Sequence, residues 1–434
     1  MKRVVIVGGG FAGVSCARRL ASNPNVHVTL IDKNNYQQFQ PLLYQVATAL
    51  LGPGNAAFSL RSLLRGHANV DVKMAEVISA DLKTRTVETA DGKRFQGDFL
   101  VLAAGAQANL FGTTGADKHT YPLYSLRDAE VLRSRILMLL ESVDREPSLI
   151  DQGALNFVVV GAGPTGTETA GSLGHLIETA RKDLYNSLEW TKAQVFLVDH
   201  GQTVLHGFSK KSQAYAQRKL ERRGIHILFG VAVKEVHPGH VLLSDGTKIL
   251  THTAIWAGGL KASSLSDALG IQTGHGGRID VQPDFSVAGF PDVYALGDFA
   301  NIAGADGKAL PQLASVAQQS GYYCAHHIAA TIAGKPGDSF QYFDKGIMAM
   351  IGRNAAVAEI GKKRHELTGP IAFAAWLGVH ALLLIPTRAK IEAFLDWAWD
   401  YFGGSNVDPV LDRPEQVAVD WHADKEDELL RKTS

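Results

Sequence analysis

Residues 1–16 read MKRVVIVGGGFAGVSC, and this stretch decides the fold. Its run Val4–Val7 is β-branched, which is typical of a strand buried on both faces of a parallel sheet. The glycines of a G-x-G-x-x-G pattern follow at Gly8, Gly10 and Gly13. They permit a tight turn, a close approach of the backbone to a pyrophosphate, and close packing of the next helix. The free N–H groups of that helix would bind phosphate.

The elements expected of a dinucleotide site continue along the chain. A second apolar run, Val26–Ile31, predicts a strand that ends at Asp32. A carboxylate in this position can accept a hydrogen bond from a ribose hydroxyl. A hairpin signal, Asp91-Gly92, and a strand over Phe99–Leu102 complete the first set of elements.

The same order of parts occurs a second time. A strand over Phe157–Val160 precedes a second fingerprint at Gly161, Gly163 and Gly166, and a later strand ends at Asp199. This internal repeat predicts two doubly wound α/β dinucleotide-binding domains. Helical spacing predicts a connecting helix over Ser125–Val143, and the late strand Asp292–Asp298 is expected in the first sheet, which would make the first domain discontinuous.

Composition narrows the class of protein. The chain has 434 residues, with 43 basic and 43 acidic side chains, so no charge excess argues for nucleic acid. Its two cysteines, Cys16 and Cys324, are far apart in sequence and form no C-x-x-C, so we expect small core residues and neither a redox dithiol nor a metal site. The first strand begins too early to leave room for a secretory signal, which favours the cytoplasm.

The two fingerprints and the late V-Y-A-L-G-D resemble the flavoproteins that have two dinucleotide-binding domains. In that family the first domain binds FAD and the second binds NAD(P)H. More selective motifs resemble the type II NADH:quinone oxidoreductases, which are single-subunit and non-pumping. These motifs are Asn35–Thr48, Gly161–Glu168, Asp344–Gly346, Ile351–Arg353 and Trp397–Tyr401.

The resemblance implies which residues bind the cofactors. Asp298 would contact the ribityl chain of FAD, Asp32 the adenosine ribose of FAD, and Asp199 the ribose of NADH. The charge of Asp199 would repel a 2′-phosphate, so we predict NADH over NADPH. The other implied cofactor-binding residues are Gly8, Gly10, Phe11, Ala12, Gly13, Lys33, Val77, Ala104, Gly105, Gly161, Gly163, Pro164, Thr165, Gly166, Gly258, Gly297 and Ala314.

Three residues are candidates for catalysis. Glu168 is either a solvated carboxylate on the first turn of its helix or, by the resemblance, a group near the nicotinamide–flavin junction. Lys345 is either a surface lysine or a cation beside the flavin ring. Gln319 is either a helix-surface amide or a contact to quinone or nicotinamide. The family often has A-Q-x-x-x-Q here, whereas this chain has Ser315 at the first glutamine.

The C-terminal region suggests a membrane surface. Residues 371–385 are apolar and uncharged, but fifteen residues are too few for a helix to span a bilayer. A second helix over Ala389–Phe402 would place Ile391, Leu395, Ala398 and Phe402 on one face. With basic flanks and aromatic residues, these helices are expected to dip into one leaflet. The alternative is a pair of buried core or dimer-interface helices.

The sequence therefore predicts an FAD-dependent NADH dehydrogenase that reduces a membrane quinone without pumping protons. It would bind the inner leaflet peripherally, on the cytoplasmic face of the cell membrane; a homodimer is left open. The alternatives are a soluble NADH oxidase, a ferredoxin-type reductase, or an NADH-sensing protein without turnover. The expected domains are 1–120 and 276–345 for FAD, 121–150 as connecting helix, 151–275 for NADH, 346–402 as membrane anchor and 403–434 as polar tail.

Overall fold

The computed structural model describes residues 1–185, 190–305, 307–337, 339–361, 363–384 and 387–402, and in the tail 410–411, 417–421 and 423. Most of the predicted polar tail, 403–434, lies outside the described residues. The chain divides into two compact units. The first unit comprises residues 1–38, 57–107 and 260–345, and the second comprises residues 39–56, 108–259 and 346–434.

The helices and strands of the two units interleave along the chain. The helices are α1 (Phe11–Leu20), α2 (Leu43–Ala47), α3 (Leu60–Leu63), α4 (Ala116–His119), α5 (Leu126–Arg145), α6 (Pro164–Thr179), α7 (Lys210–Arg222), α8 (Ala314–Ile332), α9 (Pro370–Leu383) and α10 (Thr387–Phe402). The strands are β1 (Lys2–Val7), β2 (Val26–Asp32), β3 (Tyr36–Gln38), β4 (Ala57–Ser59), β5 (Val70–Met74), β6 (Val77–Asp81), β7 (Thr86–Thr89), β8 (Arg94–Gln96), β9 (Phe99–Leu102), β10 (Ala106–Ala108), β11 (Thr120–Pro122), β12 (Asn156–Val160), β13 (Gln194–Asp199), β14 (Ile225–Phe229), β15 (Val233–Val236), β16 (His240–Leu243), β17 (Lys248–Leu250), β18 (Thr253–Trp256), β19 (Leu260–Ala262), β20 (Ile279–Asp280), β21 (Ser286–Val287), β22 (Phe290–Ala295), β23 (Ala300–Asn301), β24 (Gly346–Gly352), β25 (Ala355–Ile360) and β26 (His365–Thr368).

The first unit is built on a six-stranded sheet of order β21-β22-β9-β1-β2-β5. β1 lies between β2 and β9 and is parallel to both, and its run Val4–Val7 is buried, as the β-branched pattern predicts. β22 pairs in parallel with β9, which confirms that the late strand joins the first sheet. Because β2, β1, β9 and β22 run in parallel, their carboxyl ends lie along one edge of the sheet, and ligands of such sheets bind at that edge.

The two cysteines meet inside the first unit. α1 and α8 pack so closely that a Cβ on Gly321 would overlap the carbonyl oxygen of Ala12. Cys16 and Cys324 lie one turn further along these helices and are fully buried. Burial, with a hydrogen bond to Cys16, raises the pKa of the Cys324 thiol. The prediction that both are core residues is confirmed. Their contact with each other could not be predicted, because the two thiols are far apart in sequence and remain free.

The second unit contains a five-stranded parallel sheet of order β11-β18-β12-β13-β14. Its long helix α5 matches the helix predicted over Ser125–Val143 and starts with a capping box. The Ser125 hydroxyl accepts a hydrogen bond from the Asp128 N–H at 3.1 Å, while the Asp128 carboxylate accepts one from the Ser125 N–H at 2.7 Å. This reciprocal pair satisfies donors that the first turn leaves free.

Residues 39–56 belong to the second unit. They contain the short helix α2, in which Tyr44 is 4 % exposed and Gln45 is 5 % exposed. The sequence shows no helical stripe here because α2 is buried on all sides, so no face needs to be polar.

The C-terminal part of the second unit joins a three-stranded sheet, β24-β25-β26, to α9 and α10. α10 begins two residues before the predicted Ala389. In the tail, the Arg135 guanidinium donates hydrogen bonds to the carbonyl oxygens of Val417 at 2.8 Å and Ala418 at 3.3 Å. The same guanidinium donates to the His252 carbonyl oxygen. One buried arginine thus holds a piece of the tail against the second unit.

Candidate functional site

Each unit presents one glycine turn at the N-terminus of a helix. Gly10 caps α1 and Gly163 caps α6, and neither helix start has a side-chain cap. A Cβ added to Gly10 or Gly163 would meet no atom within 4 Å. Open space beside helix N–H groups that lack a side-chain cap fits a pyrophosphate in both units.

The first and third glycines of each turn are required by the backbone. Gly8 has φ +104° and Gly161 has φ +100°, conformations that L side chains rarely adopt. A Cβ on Gly13 or Gly166 would overlap the carbonyl oxygen of the first glycine of its own turn. Only glycine allows this approach of helix to strand. The glycine pattern in the sequence is therefore explained by geometry in both units.

Asp32 and Asp199 occupy equivalent positions in the two units. Asp32 accepts a hydrogen bond from the Gly9 N–H at 2.6 Å, and Asp199 accepts one from the Ala162 N–H at 2.6 Å. Each carboxylate also accepts from the N–H two residues further on, at 2.7 and 2.6 Å respectively. Burial raises the pKa of Asp32, and the two backbone hydrogen bonds oppose that shift. Both carboxylates hold their glycine turns; their role in binding ribose stays a prediction.

Several other predicted residues of the first unit lie around its glycine turn. A Cβ on Gly8 would lie 3.1 Å from the Ala104 nitrogen, and one on Gly297 would lie 3.1 Å from the Ala12 Cβ. The Gln312 amide donates to the Asp298 carbonyl oxygen at 3.1 Å, and Ala314 starts α8 just beyond. Of the remaining predicted residues, Lys33 follows β2, Val77 begins β6 and Gly105 lies between β9 and β10.

Gln319 takes a position that neither sequence interpretation anticipated. Its amide nitrogen donates to the Phe343 carbonyl oxygen at 3.0 Å, and its amide oxygen accepts from the Phe343 N–H at 2.9 Å. One turn earlier on α8, the Ser315 hydroxyl lies 2.9 Å from the Tyr342 hydroxyl. The two positions of the family's A-Q-x-x-x-Q pattern therefore fix the chain just before Lys345. A ligand contact by Gln319 stays untested.

Among the predicted residues of the second unit, Gly258 lies against the turn. A Cβ on Gly161 would lie 2.7 Å from the Gly258 Cα. Pro164 and Thr165 form the exposed first turn of α6. α6 begins at Pro164, so Glu168 is its fifth residue and the prediction that it sits on the first turn is wrong. The reason is that the second glycine of the fingerprint, not the third, caps the helix.

Glu168 lines a cavity of the second unit that is partly open to solvent, with about 560 Å³ of space when its opening is included. Its carboxylate accepts a hydrogen bond from the Met350 N–H at 3.0 Å. Burial raises the pKa of Glu168 to about 8, although the Met350 N–H and the Trp376 indole favour the charged form. Glu168 as a residue is half-buried, and its side chain lines the cavity. The reading of Glu168 as a solvated carboxylate is therefore wrong.

Aromatic rings pack behind this cavity. Trp376 is fully buried, stacks on His380 with ring centroids 3.9 Å apart, and meets Tyr44 and Trp397 edge-on. Burial lowers the pKa of His380 to about 4, so its imidazole is neutral at pH 7. This wall excludes water from one side of the cavity and explains why the Glu168 carboxyl holds its proton.

Sequence reasoning missed most of the residues that surround Glu168. They come from α2, α6, β24 and its turn, α9 and α10, and no spacing pattern links them. Five of them lie in the motifs Asn35–Thr48, Ile351–Arg353 and Trp397–Tyr401, which carry the family resemblance and were not predicted as parts of this site. The lining residues besides Glu168 are Tyr44, Gln45, Leu50, Ser172, His175, Met350, Gly352, Arg353, Phe373, Leu377 and Trp397.

α9 and α10 present apolar side chains to solvent. Leu382 is 75 % exposed and Ile371 is 69 % exposed, while Ala372 and Trp376 on the opposite side of α9 are buried. On α10, the exposed large side chains are Ile391, Phe394, Leu395 and Trp399. Within the described ranges, we find no helix whose length and hydropathy would suffice for a membrane span.

The fold and the paired nucleotide turns define a class. Residues 2–321 match the family model described as Pyridine nucleotide-disulphide oxidoreductase. The structure of NDH2 from Plasmodium falciparum in complex with NADH has the same fold, with a TM-score of 0.86 at 20 % identity over 94 % of this chain and 99 % of that one.

Curated relatives narrow the class. The Type II NADH:quinone oxidoreductase Ndh of Mycobacterium tuberculosis is 37 % identical over 410 residues, which cover 91 % of this chain and 87 % of the relative. The Type II NADH:quinone oxidoreductase of Haemophilus influenzae is 26 % identical over 88 % of this chain and 93 % of the relative. The chain belongs to the type II NADH:quinone oxidoreductases.

Proposed function

We propose that this enzyme oxidises NADH through FAD, reduces a membrane quinone, and uses Glu168 to supply a proton to that quinone. The electron-transfer reaction follows from membership of the family. The observation that carries the role of Glu168 is a carboxyl that lines a cavity and has a pKa raised to about 8. Such a group is protonated at neutral pH and can act as a general acid.

The two glycine turns divide the cofactors between the units. The N–H groups at the start of α1 and the carboxylate of Asp32 would hold FAD, and those at the start of α6 and Asp199 would hold NADH. FAD, when bound, accepts the hydride of NADH and passes the electrons on. The protein holds both nucleotides at helix N-termini, and Gln319 with Ser315 fixes the backbone that precedes Lys345. The domain boundaries expected from the sequence are part of this proposal.

Reduction of a quinone to a quinol takes two electrons and two protons. The hydride of NADH accounts for both electrons and one proton, so one further proton must be supplied at the cavity. Glu168 meets that need, because the aromatic wall of Trp376 and His380 keeps its surroundings apolar. The acid lies one turn into α6, the helix that begins at the proposed NADH-binding turn. Donation of its proton leaves a buried carboxylate, and the Met350 N–H is in place to stabilise that charge.

The substitution Glu168→Gln tests this role. We expect quinone-dependent NADH oxidation to fall 10- to 100-fold, because a general acid contributes at least that much. Reduction of ferricyanide, which takes no proton, should keep its rate. In the wild-type enzyme the quinone rate should decline above pH about 8, because an acid with a raised pKa keeps its proton up to that pH and loses it above.

Glu178→Gln is the matched control, since Glu178 lies on the same helix and pairs with Lys182 at the surface. It should leave both rates and the pH profile unchanged. If Glu168→Gln reduces quinone as fast as the wild type across this pH range, Glu168 is not the proton donor. A chain that reduces a soluble protein carrier faster than any quinone would instead favour the ferredoxin-type reductase.

We also infer that α9 and α10 bind the membrane surface. The support is the row of exposed apolar side chains on these helices, which soluble proteins rarely leave uncovered. Peripheral attachment at the inner leaflet, on the cytoplasmic face, would give the enzyme access to the NADH pool and to a quinone dissolved in the bilayer. An interface between two copies of the chain is the competing use of this surface.

A further inference from the structure

We propose that Tyr44 donates a hydrogen bond to the quinone carbonyl in the Glu168 cavity, and that Gln45 and Trp397 position its hydroxyl. This inference rests on the proposed function, because it takes the cavity to be the quinone site. It assigns a role to a segment, residues 39–56, that the glycine turns and the C-terminal helices leave unexplained.

The hydroxyl of Tyr44 is oriented by a chain of two hydrogen bonds. The Trp397 indole N–H donates to the Gln45 amide oxygen at 2.9 Å, and the Gln45 amide nitrogen donates to the Tyr44 hydroxyl oxygen at 2.9 Å. An indole N–H can only donate, so the amide oxygen of Gln45 must face it. The orientation of the Gln45 amide is therefore fixed, and its nitrogen faces Tyr44.

The Tyr44 hydroxyl has already used its oxygen as an acceptor and still has its proton to donate. Within the described part of the chain, the hydroxyl has no second hydrogen-bond partner. Tyr44 is 4 % exposed and lines the same cavity as Glu168. A buried O–H group without an acceptor is costly, so a ligand with a carbonyl oxygen would fit this position.

The chemistry of the cavity matches a quinone carbonyl. Burial, and then the nearby Glu168 charge, raises the pKa of Tyr44 well above its usual value. Tyr44 therefore keeps its proton and acts only as a hydrogen-bond donor, while Glu168 supplies the proton that is transferred. Such a donor stabilises the negative charge that develops on the carbonyl oxygen during reduction. The other titratable groups at the cavity are His175 on α6 and Arg353 after β24.

Trp397 connects this donor to α10. The neighbouring residue, Asp396, accepts a hydrogen bond from the Asn55 amide at 2.7 Å, so α10 is tied to both ends of residues 45–55. The exposed side chains Phe394, Leu395 and Trp399 lie on the same helix. The helix proposed to bind the membrane thus also sets the direction of the Tyr44 hydroxyl.

The substitution Tyr44→Phe removes only the hydroxyl. We expect kcat/KM for ubiquinone-1 to fall about 10-fold, with unchanged ferricyanide reduction, flavin content and melting temperature. Gln45→Met and Trp397→Phe keep Tyr44 but release it, and should lower kcat/KM for the quinone about 3-fold each. The double variant of Tyr44→Phe and Gln45→Met should have the same kcat/KM for the quinone as Tyr44→Phe alone. The reason is that Gln45 has no hydroxyl left to position once Tyr44 has lost it.

Tyr185→Phe is the control, because Tyr185 donates to Glu141 elsewhere in the second unit, away from the cavity. It should leave the quinone kinetics unchanged. The decline in quinone rate near pH 8 should persist in Tyr44→Phe, since Glu168 causes it. Loss of that decline would make Tyr44 the titrating acid and overturn the proposal. A Tyr44→Phe variant with wild-type kcat/KM for ubiquinone-1 would also overturn the proposal. The proposed function would still stand if Glu168→Gln lowers the rate of quinone reduction.

Discussion

Glu168 and His380 show how burial sets protonation in the second unit. The same apolar surroundings raise the pKa of the acid to about 8 and lower that of the imidazole to about 4. Both side chains are therefore neutral at pH 7. The sequence identified Glu168 by its place beside the fingerprint, but its raised pKa comes from burial by β24, α9 and α10, which lie about two hundred residues away along the chain. No local pattern could have predicted that.

Gly171 offers a test of packing at the scale of one residue. A Cβ at this position of α6 would overlap the carbonyl oxygen of Ile351 in β24. Because backbone cannot move aside cheaply, Gly171→Ala should lower the free energy of unfolding by about 1–3 kcal/mol. Thermal unfolding of the holoenzyme measures this as a lower melting temperature.

Gly378 is the matched control for that substitution. It also lies within a helix, α9, but a Cβ there would meet nothing within 4 Å. Gly378→Ala should therefore be neutral or stabilise the protein by about 0.5–1 kcal/mol through helix propensity. Equal melting temperatures for the two variants would mean that α6 and β24 are not packed as closely as described.

At the scale of elements, α10 has two different faces. Trp397 points to the cavity and bonds to Gln45, whereas Leu395 and Trp399 are exposed. The sequence predicted the apolar face with Leu395 from helical spacing. It could not predict the inner face, because the partner residues on α2 show no helical periodicity. Buried short helices are the elements that hydrophobic patterns miss.

The membrane proposal is tested on this helix. Leu395→Glu combined with Trp399→Glu places two charges on the exposed face and should lower binding to phosphatidylglycerol-containing vesicles at least 10-fold, measured by co-sedimentation. Ferricyanide reduction should be retained, since both side chains point away from the cavity. Leu250→Glu, at an exposed apolar position on β17, should bind vesicles normally. Unchanged vesicle binding of the double variant, with a loss of self-association instead, would assign the face to an interface between copies.

At the scale of the whole molecule, the chain repeats one ligand-binding plan in two units. The repeat was visible in the sequence because each fingerprint is local: strand, three glycines, helix and terminal acid lie within about forty residues. The matching hydrogen bonds of Asp32 and Asp199 to their turns confirm the equivalence of the two copies. Which cofactor each copy binds was inferred only from the resemblance.

The division of cofactors between the units can be tested with paired substitutions. Asp199→Asn should raise KM for NADH several-fold and narrow the preference over NADPH, because a charge that repels a 2′-phosphate is removed. The flavin content should stay at the wild-type level. Asp32→Asn should instead lower the FAD retained on purification, measured from the flavin absorbance of the released cofactor. The reverse pattern would exchange the assignments of the two units.

Arg135 holds the tail through backbone oxygens. Its guanidinium donates to the carbonyls of Val417 and Ala418 and makes no hydrogen bond to their side chains. A contact of this kind does not depend on the identity of the side chains. The side chain of Val417 is buried, but a substitution at Ala418 would leave the backbone contact in place. A saturation library should therefore tolerate most substitutions of Ala418 and reject most substitutions of Arg135. The contact with the tail therefore depends on Arg135, whereas the side chain at position 418 can vary.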